Sequence, residues 1–499
     1  MKLFAAELDF RAIAREFDLP ETFPEQLHSE AILATDRYPE GRRDLREVEF
    51  VTIDPPSSMD LDQAVHVESW QADGVADSSV ADSGVADSGA GDAGNAGSVA
   101  PGWRVRYAIA DVGAFVEPDS ALEQESIRRG QTMYLPDDPV RLHPAELSEG
   151  NASLLPDQDR PAVVWDINVD ADGEIHDFTV YRATVRSRAK LNYEGVEADR
   201  LAGTLHPSIA LLPELGEARQ RSDLRRDAVN LRLPSISVEK SDDEQAEYQL
   251  VIEPRQLMND YNAELSLLAG MCAGQMMVKS GKGILRTLPP ASPKDIAKFD
   301  SAAKALGFER GNKSVGQLLA SIDASTPQGM ALMRDAQRLL RGASYVAFGI
   351  AGVENENETS IHAGIGGHYA HVTAPLRRLS DRFATEICLA IAEEREVPAW
   401  VAERADEVIE AMKRSTQLAN QVDRACMGLT EAVVLQPWVG QNFSAAVMHS
   451  SDKGADIFVS EPPVIADCQG NPEEASQTAV TLITADPETR TVEFTWPAD

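Results

Sequence analysis

Apolar and polar positions divide the chain into stretches of two different periods. From Trp103 the run WRVRYAIADVGAFV alternates, which predicts a β-strand, and residues 161–195 read as further strands. Between residues 255 and 280 the period lengthens. Leu257, Tyr261, Leu265, Leu268 and Met271 recur at three- and four-residue steps, the pattern of a helical apolar stripe. Residues 291–345 also read as helical, rich in Ala and Leu, with Arg334, Arg338 and Arg341 repeating along one face; residues 375–427 are helical again. From about Val433 the pattern changes. FSAAVMH, DIFVSE, AVTLITA and TVEFTW are short strands split by turn residues, the signature of a small β-barrel, for which OB-like barrels are one candidate. The expected fold class is α+β. Residues 1–45 form an extension or linker, residues 46–428 the mixed body, and residues 429–499 a small all-β C-terminal barrel.

One stretch fits neither period. Residues 72–100 repeat Val-Ala-Asp-Ser with small residues and carry five Asp but no Lys, Arg or aromatic. Such a segment cannot bury enough apolar surface to offset its ordering entropy, so a disordered acidic insertion at a hairpin tip is expected. It lies between two strand-like runs, residues 62–68 and 103–110.

Composition narrows the class. With 43% hydrophobic residues the chain can build a large core. No apolar run approaches the length of a membrane span and no signal peptide opens the chain, so a soluble cytoplasmic protein is expected. The four cysteines, Cys272, Cys388, Cys426 and Cys468, form no Cys-x-x-Cys pair and read as reduced, buried thiols. The net charge of −35 argues, taken alone, against a polyanionic partner. A local basic channel or bound metal ions would offset it.

The most informative stretch is FVTIDPPSSMDLDQA, residues 50–64. A short apolar strand ends on Asp54, a Pro-Pro-Ser-Ser turn follows, and Asp60 and Asp62 come next. Residues two apart on an extended chain face the same side, and the turn can return Asp54 beside them. Three carboxylates this close repel one another unless a positive charge sits between them. Hard cations prefer such oxygen ligands. A solvated acidic turn would carry the same residues, and about one residue in six of this chain is acidic.

The pattern Val-Thr-Ile-Asp-(x)5-Asp-x-Asp-x-Ala resembles the signature of the RNB catalytic domain of the ribonuclease II and ribonuclease R family, and GRRDLR at residues 41–46 resembles the approach to it. The resemblance implies that Asp54, Asp60 and Asp62 are catalytic and metal-binding. It assigns Gln63 to the metal set in place of the family's usual fourth Asp. A second block, HYAHVTAPLRRLSD at residues 368–381, resembles the family's H-F-T-S-P-I-R-R-Y-x-D and makes Arg377 the phosphate-gripping arginine. A guanidinium suits that role because it binds phosphate oxygens in pairs and steadies developing charge. Leu379 stands at the family's tyrosine, and Thr385-Glu386 at its His-Arg pair.

By the same resemblance, Tyr134 in TMYLP and Tyr193 in AKLNY would contact the last nucleotides, and Glu264 in NDYNAELS would lie near the terminal one. HPAELS at residues 143–148 resembles a scaffold motif. His368 and His371 form a His-x-x-His pair with no third ligand nearby, a weak zinc signal, and His362 and His371 match family positions that read as structural. The family implies an RNB-like catalytic domain over residues 46–428 followed by the OB-like barrel. Its expected activity is Mg²⁺-dependent (or Mn²⁺-dependent) 3′→5′ hydrolysis of single-stranded RNA to nucleoside 5′-monophosphates. The alternative is a catalytically weakened or inactive RNB protein that binds RNA or another protein. Family members usually carry RNA-binding barrels ahead of the catalytic body, where this chain has some forty residues. Weak binding to long RNA, or a compensating protein partner, is the corresponding expectation.

Overall fold

The computed structural model describes residues 4–5, 8–71, 102–222, 225, 228–229, 231, 236–240, 248–252, 256–350 and 360–498. Five strands close a barrel at its centre: β1 (Arg43–Ile53), β2 (Gln63–Trp70), β3 (Gly102–Ala110), β4 (Asp159–Val169) and β5 (Ile175–Leu191). Neighbours pair antiparallel, and a parallel pairing of β1 with β5, from Arg43↔Ala183 to Ile53↔Leu191, closes the ring. The two-residue period sends alternate side chains of a strand to two different cores. Val105, Tyr107 and Ile109 of β3 join one core, and Ala108 and Ala110 the other. The expected insertion, residues 72–100, lies outside the described residues; the flanking strands pair up to Trp70↔Gly102.

Four helices bear on the site and on its link to the C-terminal strands. They are α1 (Tyr193–Ala202), α2 (Leu257–Ser280), α3 (Leu379–Ala392) and α4 (Ala399–Leu435). Buried residues occur all round α2, which threads the main core. Gly270 and Gly274 leave it bare on one side: a Cβ on Gly270 would meet the Tyr369 ring at 2.2 Å, and one on Gly274 would meet the His368 carbonyl carbon at 2.5 Å. The segment entering the second motif therefore packs directly on the helix, with the Ala370 N–H donating to the Gly270 carbonyl at 3.0 Å.

The C-terminal strands β6 (Asn442–Ser451), β7 (Gly454–Ser460), β8 (Pro463–Gln469), β9 (Gln477–Asp486) and β10 (Thr491–Thr495) close a second barrel in the order β6-β7-β8-β10-β9. Its core is shared with the end of α4 through Val422, Cys426 and Leu435, and with Phe10 and Ile13 of a short N-terminal helix. The sequence pattern names four of these strands. It misses β8, where Pro463 opens the strand and Asp467 and Gln469 dilute the apolar period. It also reads residues 291–345 as helical throughout, whereas residues 344–348 form a strand paired with residues 283–287. All four cysteines are free and buried.

Candidate active site

The site forms where β1 ends. The Asp54 N–H donates to the Leu191 carbonyl at 3.1 Å, extending the β1–β5 pairing by one residue and fixing where the carboxylate emerges. The Pro-Pro-Ser-Ser turn is clasped by Lys190, whose Nζ donates to the Pro56 carbonyl at 2.7 Å and to that of Ser58. The chain is pinned again at Leu61, which is fully buried and whose N–H donates to Ser153 Oγ at 3.0 Å. Asp60 and Asp62 flank this anchor.

Asp62 is 5% exposed. Its Oδ1 accepts from the Leu376 N–H at 2.8 Å, and its Oδ2 lies 3.5 Å from Arg377 Nε. Arg377 is carried by a turn that Asp381 stabilises: Asp381 Oδ1 accepts from the Ala374 N–H at 2.7 Å and from Arg378 at 2.8 Å. This turn occupies residues 374–378, and α3 starts only at Leu379. Tyr134 is 54% exposed, with its hydroxyl beside the Arg377 guanidinium and near Asp60 and Asp62. Tyr193 opens α1, capped by Asn192, and its hydroxyl reaches Asn262 of α2 beside Asp54 and Arg377. The structure thus brings together Asp54, Asp60, Asp62, Arg377, Tyr134 and Tyr193.

The electrostatics of the trio are one-sided. Burial raises the Asp54 carboxyl to about 6, with the Thr52 hydroxyl opposing it, the Asp60 charge adding to it and Lys190 and Arg377 opposing it further. Burial likewise raises Asp60, and it raises Asp62 well above the carboxylate range. Among the described residues no three His, Cys, Asp or Glu side chains form a ready-made metal cage. The fit to a cation rests on unmet charge: one buried and two half-buried carboxylates share the site, and the Asp54 Oδ2 atom is buried with no hydrogen-bond partner. Oxygen donors of this kind suit a hard divalent ion.

The RNB domain family matches residues 42–393, and the RNase II-type exonuclease C-terminal S1 domain matches residues 441–496. The chain belongs to the RNB family. It is 24% identical over 477 residues to Ribonuclease R of Chlamydia trachomatis, covering 91% of this chain and 62% of that protein. It is 28% identical over 366 residues to Exoribonuclease 2 of Actinobacillus pleuropneumoniae, covering 68% of this chain and 50% of that protein. The chain therefore spans about half to three-fifths of these curated relatives. In fold it is similar to the apo form of Mycoplasma genitalium RNase R, with a TM-score of 0.79 at 18% identity, over 97% of this chain and 77% of that one. That enzyme has also been solved with ribose-methylated single-stranded RNA. Yeast Ssd1, described as a pseudonuclease, is similar with a TM-score of 0.63 at 15% identity, over 95% of this chain and 55% of that one.

Two residues that the RNB resemblance assigns make contacts other than those it implies. Glu264 faces away from the carboxylates: it is 5% exposed and held by Arg225 at 3.0 Å, and Arg225 in turn donates to the Ile365 carbonyl at 2.8 Å. Positions two apart on a helix point to nearly opposite sides, so Asn262 and Ser266 face the RNB site and Glu264 does not. Gln63 is the second such residue. Its amide is committed to Tyr107, Ser266 and the Thr373 carbonyl, which leaves no lone pair aimed at a cation. Two of the histidines are engaged by neighbouring groups. His371 Nδ1 bonds the Tyr345 hydroxyl at 2.8 Å and His368 Nδ1 donates to the Ser360 carbonyl at 3.0 Å. Lys190, Asn262 and Ser266 were not singled out from the sequence. The one signal for Asn262 and Ser266 is their four-residue spacing on a predicted helix, and for Lys190 its place in AKLNY.

Proposed function

We propose that this chain is a 3′→5′ exoribonuclease that hydrolyses single-stranded RNA to nucleoside 5′-monophosphates with Mg²⁺, or Mn²⁺ in its place. The observation that carries this reading is the gathering of three poorly compensated carboxylates, the buried Asp62 and the half-buried Asp54 and Asp60, around one half-exposed arginine, Arg377. Family membership and relatives named Ribonuclease R and Exoribonuclease 2 support the reaction class.

Asp54, Asp60 and Asp62 would hold the metal, which when bound supplies a polarised water and neutralises phosphate charge. Arg377, 45% exposed at its side chain, is placed to grip a phosphate and to steady the charge that develops on its oxygens. Asp62 acts twice, since it also holds the Leu376 N–H and so sets the turn that presents Arg377. Tyr134 and Tyr193 flank this point, and stacking of terminal bases on such rings contributes about 1–3 kcal/mol per base.

RNA labelled in its 3′-terminal nucleotide tests the direction and the chemistry. The expected first labelled product is a nucleoside 5′-monophosphate. Label released within an oligonucleotide, or as a 3′-phosphate, contradicts the proposal. One observation favours a second reading, that of a weakened or inactive RNB protein that still binds RNA: Gln63 is uncharged and engaged elsewhere. That reading expects RNA binding with no product.

A further inference from the structure

Gln63 opens β2, and its side chain is enclosed by three different segments. Its Oε1 accepts from the Tyr107 hydroxyl of β3 and from Ser266 Oγ of α2 at 3.2 Å. Its Nε2 donates to the Thr373 carbonyl at 2.7 Å. The two hydroxyls are themselves 2.9 Å apart, and Tyr107 is 1% exposed. The amide can sit only this way round, because a carbonyl accepts and cannot donate, whereas the hydroxyls have protons to give. A carboxylate in this place would set oxygen against oxygen at Thr373.

The neighbouring residue grips the same turn. Asp62 accepts from the Leu376 N–H at 2.8 Å while Gln63 donates to the Thr373 carbonyl. Consecutive residues at the start of β2 thus hold residues 373–376 at both ends, one through a backbone N–H and the other through a carbonyl. Arg377 follows immediately. A buried carbonyl that loses its donor is costly, so this tie resists loosening.

We propose that Gln63 is a positioning residue for Arg377. The Gln63–Tyr107–Ser266 cluster ties β2, β3 and α2 to the arginine turn, and it takes no part in metal binding. Glutamate at position 63, with the shape of the amide but no donor for Thr373, therefore impairs the enzyme rather than restoring it. This proposal rests on the exonuclease reading for its catalytic consequence, but not for its structural one.

The test compares full-length wild type, Gln63→Glu and Ser266→Ala by three measurements. These are Mn²⁺ binding followed by electron paramagnetic resonance without RNA, kcat and KM on a short 5′-labelled RNA, and amide hydrogen exchange across residues 370–379. For Gln63→Glu the expected results are Mn²⁺ affinity within about twofold of wild type, kcat lowered about tenfold with KM nearly unchanged, and exchange in residues 373–379 accelerated about tenfold. A factor of about ten corresponds to the loss of one hydrogen bond. Ser266→Ala should shift exchange and kcat the same way by less, and it keeps the proposal testable if Gln63→Glu does not fold. A Mn²⁺ affinity changed more than about fivefold would make Gln63 a ligand, and unchanged exchange and kcat would remove its positioning role. If wild type shortens no RNA, the exonuclease reading fails alone, and the exchange and Mn²⁺ measurements still decide the role of Gln63.

Discussion

At the scale of single residues, the site is governed by the desolvation of its carboxylates, which Lys190 and Arg377 only partly oppose. Asp54 binds its proton up to about pH 6 in the folded chain, against about 3.9 for a free aspartate. Between those values the native state holds a proton that the unfolded state has released. Without metal, the contribution of Asp54 to stability should therefore fall as pH rises from about 4 to about 6, and that loss should be complete above that range. Asp54→Asn removes the ionisable group. In chelator at pH 7.5 it should be more stable than wild type by about 1–3 kcal/mol, and the two should converge below about pH 4; urea melts across the pH range measure both. Equal stability at pH 7.5 would mean that Asp54 is better compensated than its surroundings indicate. The sequence made the spacing of Asp54, Asp60 and Asp62 legible because a strand, a turn and a second strand constrain which residues can meet. It could not reveal that Glu264 turns to Arg225 or that Gln63 turns to Tyr107. Those partners lie 39 and 44 residues away, and local periodicity carries no information about them.

Among the elements, α2 is the platform of the arginine motif. Gly→Ala inside a helix ordinarily adds stability, about 1 kcal/mol. Gly274→Ala should do the opposite here, since the added carbon would stand 2.5 Å from the backbone of His368, which has no side-chain freedom to retreat. A cost of about 1–3 kcal/mol is expected from such overpacking, read as a lowered Tm, together with slower RNA shortening because the displaced segment leads to Arg377. A raised Tm would show that the helix and the segment pack more loosely than this approach requires. The helical stripe of residues 257–280 and the alternation of residues 103–110 were both visible in the sequence, because burial on one face leaves a period. Strand Pro463–Gln469 was not, because Ile465 on its exposed face breaks the alternation and its opening residue is a proline.

For the whole molecule, two closed barrels are joined through α4, whose C-terminal half shares a core with the second barrel. Among the described residues no helix is long and apolar enough to cross a membrane. Strands β2 and β3 pair to their ends at Trp70↔Gly102, so the barrel is complete without the segment between them. Replacing residues 74–99 with a short Asn-Gly turn should leave Tm within a few degrees and exonuclease activity intact. A collapse of either would give the acidic insertion a role that the barrel does not require. The central claim is that Asp62 and its neighbours perform metal-assisted removal of nucleotides from the 3′ end. The most direct test is a gel assay of 5′-labelled single-stranded RNA with Mg²⁺ or Mn²⁺, comparing wild type with Asp62→Asn. Stepwise shortening from the 3′ end by wild type, lost in the variant while RNA binding persists, is the predicted result. RNA that remains at full length with both proteins would contradict the claim.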